Sequence, residues 1–185
     1  MKLTDPRLTT TIALCALSVW IGGLLSLGAV AAPLVFGMVP LPLAADTMAL
    51  VFARFDKVAM SAAAIILATE AVRVRSGGPL GSGQLARVLV SVALAGSAVL
   101  EGLWVTPTIA GLHAAGAVRG VGEAGQSLAS AHALAESIGK AQALLAIALI
   151  ALHVWTLTRV STSPSDAPAP VRSSGREGAA EPRRS

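Results

Sequence analysis

Ionisable side chains lie inside long apolar stretches of this sequence, where a charge needs a partner. A charge at the centre of a membrane-spanning helix costs about 2.5–3.5 kcal/mol on insertion scales, and such groups usually face a bundle interior or a hydrated cavity. The chemistry open to them is ion pairing, binding of an ion or small polar solute, or proton transfer. They form an outer polar cluster of Arg54, Asp56, Lys57, Glu101, His132, Glu136 and Lys140, and an inner polar group of Glu70, Arg73 and His153.

Helical rise places several members of the outer polar cluster at a similar depth. The basic residues taken to mark the inner membrane boundary are Arg73, Arg87 and Arg159. Lys57 lies about 24 Å and Glu101 about 21 Å from the marker on its own helix, at 1.5 Å per residue. This matched depth predicts that Glu101 pairs with Lys57 or Arg54. Three interpretations stay open: the charges fix helix register, they line a cavity that binds an ion or small solute, or their long side chains reach the headgroups.

The inner polar group supports simpler interpretations. Glu70 precedes Arg73 by three residues, which predicts a local ion pair. Glu70 also shares a helix face with Asp56, so a proton path along that face is a further hypothesis. His153 is expected to bond a backbone group or a polar neighbour.

The histidines give a further alternative, a metal or haem site, which needs two of them at one level. His132 and His153 stand 21 residues apart on one predicted helix, about 31 Å, and cannot share an ion. His113 and His132 both belong to the outer side and are expected to approach, with Glu136 one turn after His132. The simpler interpretation is a solvated helix face.

No phosphate-binding glycine loop, metalloprotease or serine-hydrolase motif occurs, so we expect no catalytic residues, no metal site, no cofactor and no enzyme activity.

Four predicted membrane-spanning helices must position these residues. Of 185 residues, 54% are hydrophobic and 13% are charged, whereas soluble domains average about 25% charged residues. The spans are expected at about 9–38, 46–75, 84–112 and 126–159, each longer than the roughly 20 residues that cross a bilayer. The predicted fold class is therefore an all-α integral membrane four-helix bundle. A short N-terminal segment, 1–8, precedes it, and a basic C-terminal tail, 160–185, is expected to be disordered because it lacks apolar anchors.

Local signals set the boundaries of these spans. Pro33 is expected to bend or end the first span, and Asp46 to cap the second helix. Residues 76–83 predict a turn and residues 113–125 a glycine-rich loop. Ser18, Gly22 and Ser26 recur at intervals of four, which indicates either a helix-packing seam or chance. Cleavage of the first apolar run as a secretory signal is the alternative to a first span, but the run is longer than such signals have.

Lysine and arginine are distributed asymmetrically between the two sides of the predicted bundle. Ten of the fourteen fall on the side of the two termini and the 76–83 turn. Cytoplasmic loops carry an excess of these residues, so both termini are predicted to be cytoplasmic, in a bacterial inner membrane. The expected partners are the lipid bilayer and either a second copy of this chain or another membrane protein, without nucleic acid.

Short motifs in the sequence resemble a known family. They are 20–23 (WIGG), 32–36 (APLVF), 50–55 (LVFARF), 104–109 (WVTPTI) and His132 followed by Ser137 and Gln142. Together they resemble the domain of unknown function 4149 family, which includes proteins similar to eukaryotic transmembrane protein 205, over about residues 10–158. The sequence departs from the family pattern at Leu128, where an aromatic residue often precedes the histidine. The resemblance implies a four-helix membrane protein, and it brings no catalytic residues.

Three hypotheses for function follow from the sequence. The first is a non-enzymatic, multi-pass membrane protein that handles an ion or small solute through the outer polar cluster. The second is a membrane scaffold or assembly protein whose charges serve helix packing. The third is a histidine-dependent copper or haem protein, for which Met38, Met48 and Met60 supply few soft ligands.

Overall fold

The computed structural model describes residues 5–76 and 81–161, and these contain no β-strand. In chain order the elements are α1 (Pro6–Leu25), a π-helical segment π1 (Ser26–Ala31), α2 (Ala32–Met38), α3 (Leu41–Ser76), α4 (Ser82–Leu100), a second π-helical segment π2 (Glu101–Val105), α5 (Thr106–Ala114) and α6 (Gly122–Ser161). The backbone stays helical through both π segments. The described residues therefore form four long rods, α1–π1–α2, α3, α4–π2–α5 and α6, which confirms the predicted all-α bundle.

Three of the four rods are long and apolar enough to cross a membrane, namely Arg7–Met38, Ser82–Ala114 and Gly122–Thr156. The rod α3 is the exception because charged residues stand on both sides of its uncharged centre, 58–69. Large apolar side chains point outward from all four rods, as Leu34, Leu50, Leu89 and Leu144 illustrate. A helix bordered by lipid has this outward face. The chain is therefore an integral membrane four-helix bundle in which α3 lies among apolar neighbours.

Each rod packs against the next in the chain, and α1 also packs against α6. Short connections between consecutive rods make neighbours antiparallel, which gives an up-down-up-down bundle. We call the end at which α1 begins and α6 ends the terminal end, and the opposite end the distal end. The bundle core lies between these ends and contains Leu17, Trp20, Ile66, Leu94 and Leu149, with seven buried alanines among them. Alanine lets helix backbones approach closely, so the interior is narrow.

Two rods contain a proline directly after a π-helical segment. Pro33 follows π1 and Pro107 follows π2. Ahead of each proline, a backbone N–H bonds the carbonyl five residues back, Ala32 to Leu27 and Thr106 to Glu101. A proline ring clashes with the carbonyl four residues earlier in an α-helix, and the wider π turn accommodates it. Pro33 therefore does not end the span, because the rod continues to Met38.

Several predicted boundaries differ from the structure. Helix α3 begins at Leu41, so Asp46 lies inside the helix and does not cap it. The rod α6 begins at Gly122, and the glycine-rich loop is shorter than predicted. Gly116 and Gly120 make the turn in this loop with φ values of +78° and +81°, a conformation that glycine adopts without steric cost. Residues 77–80 of the predicted turn, and the predicted disordered tail after residue 161, lie outside the described residues.

The predicted seam of Ser18, Gly22 and Ser26 does not pack within the chain. All three residues are exposed, and a Cβ atom built on Gly22 meets no atom within 4 Å. The neighbouring Gly23 is the packed glycine, since a Cβ there would overlap the ring of Phe55 on α3. The α1–α3 contact therefore depends on Gly23 and not on the predicted stripe.

Candidate functional site

Polar side chains from all four rods meet inside the bundle at the terminal end. We call this group the terminal network, and its members are Thr9, Thr10, Glu70, Arg73, Arg87 and His153. The two threonines come from α1, Glu70 and Arg73 from α3, Arg87 from α4 and His153 from α6. The network therefore ties the rods together around one carboxylate.

Arg73 makes most of the connections in the terminal network. Its Nε donates to Thr9 Oγ1 at 3.0 Å, and its Nη2 donates to Thr10 Oγ1 at 2.6 Å. Its Nη1 lies 2.9 Å from Glu70 Oε1 and 3.0 Å from His153 Nδ1. The predicted Glu70–Arg73 ion pair is thus confirmed, as is the prediction that His153 bonds a polar neighbour.

Arg87 lies inside the bundle, where it binds the same carboxylate. Its Nε is 2.9 Å from both Glu70 Oε1 and Glu70 Oε2, and its side chain is only 8% exposed. Arg87 entered the sequence predictions only as a marker of the membrane boundary, and this buried pairing was not predicted. A signal was present in the sequence, because Arg87 lies in the first turn of a predicted apolar span, where an arginine that points into the bundle needs a partner.

The protonation state of His153 follows from its contact with Arg73. A guanidinium only donates hydrogen bonds, so Nδ1 must accept and the buried ring is neutral, with its hydrogen on Nε2. His153 Nε2 lies 3.8 Å from Glu70 Oε1, which is too far for a hydrogen bond. It is enclosed and has no hydrogen-bond partner among the described residues. The terminal network therefore keeps one buried N–H group without a partner.

A second buried polar group, the distal site, lies on the other side of the core. Its members are Trp20, Asp56, Glu101, Thr106 and Gln142. Trp20 Nε1 donates to Gln142 Oε1 at 3.3 Å, and Gln142 Nε2 donates to Glu101 Oε2 at 2.7 Å. One amide thus connects α1, α6 and π2.

Asp56 and Glu101 form a pair of carboxylates within the distal site. They are close enough for the charge of Asp56 to act on Glu101, and the Thr106 side chain lies beside Asp56. Asp56 is 8% exposed, and its Oδ2 is enclosed without a hydrogen-bond partner in the described part of the chain. Gly102 packs against Asp56, because a Cβ atom added to this glycine would lie 3.3 Å from Asp56 Cβ, so a larger residue would require the neighbouring side chains to shift.

The predicted ion pair between Glu101 and Lys57 or Arg54 is not formed. Within residues 5–76 and 81–161, the ion pairs join Glu70 to Arg73 and Arg87, and Glu136 to Lys140. Both Arg54 and Lys57 are exposed on the outside of α3. Matched depth did not bring the charges together because the basic side chains project away from the α3–α4 interface, whereas Asp56 projects toward it.

The other members of the predicted outer polar cluster lie at the surface of α6. Lys140 Nζ donates to Glu136 Oε1 at 2.7 Å, and these side chains are 72% and 66% exposed. The rings of His113 and His132 meet edge to face with 5.7 Å between centroids, which confirms their predicted approach. In the described ranges, no group of three or more His, Cys, Asp or Glu side chains is arranged to hold a metal ion.

An apolar layer separates the distal site from the terminal network. Asp56 and Glu70 are 14 residues apart on α3, about 21 Å. The buried α3 side chains between them include Ala59, Ala63 and Ile66. The face that Asp56 and Glu70 share therefore offers no continuous path of polar side chains for a proton.

Sequence reasoning missed the partners that complete both groups. Gln142 entered only through the family resemblance, and Trp20, Thr9 and Thr10 were assigned no polar role. Gln142 carried a signal of its own, since it is an uncharged polar residue at the start of an apolar run in α6. A buried amide needs partners for both its oxygen and its nitrogen.

Comparison with known proteins identifies one family. The family model of DUF4149, a domain of unknown function, matches residues 15–117, more than half of the chain. The matched region contains both distal carboxylates together with Glu70, Arg73 and Arg87, and it ends before α6. No curated protein and no solved structure matches the chain.

Proposed function

This chain belongs to the DUF4149 family, a domain of unknown function, and we propose that it is a membrane protein that binds a small cation between Asp56 and Glu101. The Asp56 carboxylate carries this proposal, because it is 8% exposed and its Oδ2 is enclosed without a partner among the described residues. A buried carboxylate without a partner is unfavourable for the folded protein. A cation bound beside Asp56 would supply that partner.

Electrostatics supports a cation at the distal site. Removing an ion from water costs several kcal/mol even after the protein relaxes, and a second carboxylate nearby adds repulsion. Neither Asp56 nor Glu101 has a basic partner in the described part of the chain. A bound cation or a proton removes both penalties at once. The terminal network differs in this respect, because its carboxylate is paired with arginine.

The donor atoms favour a hard cation. The distal site offers the carboxylate oxygens of Asp56 and Glu101 and the hydroxyl of Thr106. Gln142 occupies only Glu101 Oε2, so Oε1 stays available within the described part of the chain. Oxygen ligands suit protons, alkali cations and other hard ions better than copper.

The proposed orientation places the distal site nearer the outside of the cell than the terminal network. We place both termini in the cytoplasm of a bacterial cell, with the chain in the inner membrane, on the basis of the lysine and arginine asymmetry. The distal end then faces outward. The proposed role is ion binding or transfer.

Thermal unfolding of the purified protein in detergent tests cation binding. Increasing Na⁺ or Li⁺ at constant ionic strength should raise the unfolding temperature of the wild type, because a ligand present at 100 times its Kd stabilises a protein by about 2.7 kcal/mol. The double variant Asp56→Asn, Glu101→Gln should start more stable and lose this response. Glu136→Gln, which removes an exposed carboxylate, is the matched control. An unchanged cation response in the double variant would refute the proposal.

A second candidate function is a membrane scaffold or assembly protein that binds a second copy of this chain or another membrane protein. The terminal network favours it, because four rods are fixed around Glu70 by bonds that suit packing. Complementation of a deletion strain separates the two functions. A scaffold should tolerate the Asp56→Asn, Glu101→Gln double variant, whereas a cation-dependent protein should not.

A further inference from the structure

The terminal network contains more positive than negative charge. Arg73 and Arg87 contribute two positive charges and Glu70 one negative charge, while the bond from Arg73 to His153 Nδ1 requires a neutral ring. The three charged side chains are between 3% and 10% exposed. One positive charge is therefore left inside the bundle without a counter-ion among the described residues.

Arg87 is the source of the unused hydrogen-bond donors. A guanidinium has five N–H groups, and Arg87 uses only the one on Nε, toward Glu70. Its two terminal amino groups have no partner in the part of the chain that the structure describes. Among the described residues, the side-chain atoms that are both buried and without a hydrogen-bond partner are Asp56 Oδ2 and His153 Nε2. The amino groups of Arg87 are not among them, although they also have no partner there. The amino groups of Arg87 therefore reach the surface of the bundle while the rest of the side chain is buried.

An apolar groove lies between α3 and α4 at the terminal end. It has a volume of about 270 Å³ and is lined by Leu67, Glu70, Ala71, Val74, Arg75 and Val88. Val88 is the neighbour of Arg87 in sequence, and Glu70 belongs to both the groove and the terminal network. Arg87 stands five residues from the start of α4, about 8 Å along the helix, near the depth of lipid headgroups.

We propose that the terminal end binds one anionic phospholipid, whose phosphate contacts the free amino groups of Arg87 and whose acyl chain lies in the α3–α4 groove. The planar guanidinium matches the oxygens of a phosphate in a two-point contact. A lipid with one net negative charge neutralises the network, whereas a zwitterionic lipid does not. The apolar lining of the groove fits an acyl chain and distinguishes a lipid from a free anion.

Native mass spectrometry of the full chain, released from nanodiscs with equal phosphatidylglycerol and phosphatidylcholine, tests this site. The wild type should retain one phosphatidylglycerol molecule, with a preference of about tenfold over phosphatidylcholine. Arg87→Lys keeps a charge for Glu70 but loses the planar fork, so the preference should fall to near unity. Arg54→Gln, which removes an exposed arginine of α3, should leave it unchanged. Equal retention of both lipids by the wild type would overturn the proposal.

Val88→Trp provides an independent test that leaves the charges in place. The larger side chain should fill the groove and displace the lipid by about tenfold in affinity even though Arg87 is present. Size-exclusion elution and circular dichroism like those of the wild type establish that the variant is folded. Thermal unfolding with short-chain phosphatidylglycerol or inorganic phosphate separates the two anion sources. Stabilisation by inorganic phosphate alone, or an unaltered lipid affinity in Val88→Trp, would contradict a lipid site.

Discussion

Glu70 and Arg87 are joined across the α3–α4 interface, because both carboxylate oxygens of Glu70 lie 2.9 Å from Arg87 Nε. The same carboxylate lies 2.9 Å from Arg73 Nη1 on its own helix. Glu70 thus holds two arginines inside the bundle. Loss of this one acid affects the packing of three rods, since Arg73 also binds Thr9 on α1.

Glu70→Gln should destabilise the bundle more than any other removal of a single carboxylate. Two buried arginines would lose their anionic partner, which lowers the unfolding free energy by about 3–5 kcal/mol. Reversible unfolding in mixed detergent micelles measures the change. Glu136→Gln removes the acid of an exposed i,i+4 pair and should cost less than about 1 kcal/mol. Losses of equal size in the two variants would contradict a structural role for Glu70.

Gln142→Leu should break the connection between α1, α6 and π2. The substitution leaves the Trp20 indole N–H and the Glu101 carboxylate without their amide partner, and unsatisfied buried groups cost about 1–3 kcal/mol each. The midpoint of thermal unfolding should fall accordingly. Ser137→Ala serves as the control on the same helix, because that hydroxyl is exposed and bonds only the Ala133 carbonyl. A midpoint unchanged by Gln142→Leu would mean that the amide is not needed for packing.

Gly23→Ala and Gly22→Ala should differ although the glycines are adjacent. A Cβ on Gly23 overlaps the Phe55 ring, whereas one on Gly22 meets nothing within 4 Å. Overpacking of this kind costs about 1–3 kcal/mol, and alanine is the better helix former at an open site. We therefore expect a lower unfolding temperature for Gly23→Ala and an unchanged or higher one for Gly22→Ala. In the Gly23→Ala, Phe55→Leu double variant, the unfolding temperature should recover because the ring that clashes is absent. If it does not recover, the clash with Phe55 is not the cause of the loss in Gly23→Ala.

Reporter fusions test the proposed orientation. Alkaline phosphatase folds only outside the cytoplasm, so a fusion to the C-terminus should be inactive, while a C-terminal green fluorescent protein should fluoresce. Insertion of alkaline phosphatase after Gly120, in the loop between α5 and α6, should give an active enzyme. The reverse pattern would place the distal carboxylates on the cytoplasmic side and remove the basis for an outward-facing cation site.

Apolar run length and composition were enough to predict the four rods, because a bilayer requires long helices whose backbone groups bond internally. The Glu70–Arg73 pair was also predictable, since residues three apart on a helix face the same side. Rod ends were less predictable. Pro33 and Pro107 each follow a π segment, and no residue pattern distinguishes such a segment from a helix break.

Pairing between helices was the main failure of sequence reasoning at the candidate site. Helical rise gives the depth of a side chain but not its direction around the helix axis. Lys57 is at nearly the depth of Glu101, but it is exposed, whereas its neighbour Asp56 is buried. The pairing of Arg87 was missed for the same reason, because a position near a helix end does not show that the side chain turns inward to Glu70.

The interrupted apolar character of α3 has a consequence for how the protein is made. Its uncharged centre, 58–69, is 12 residues long, well short of the roughly 20 that partition into lipid unaided. The translocation channel receives α3 after α1 but before α4 and α6, which supply Arg87 and His153. During synthesis, α3 is thus expected to stay beside the channel until α4 emerges. Insertion is then expected to proceed through an assembled α3–α4 hairpin and not helix by helix.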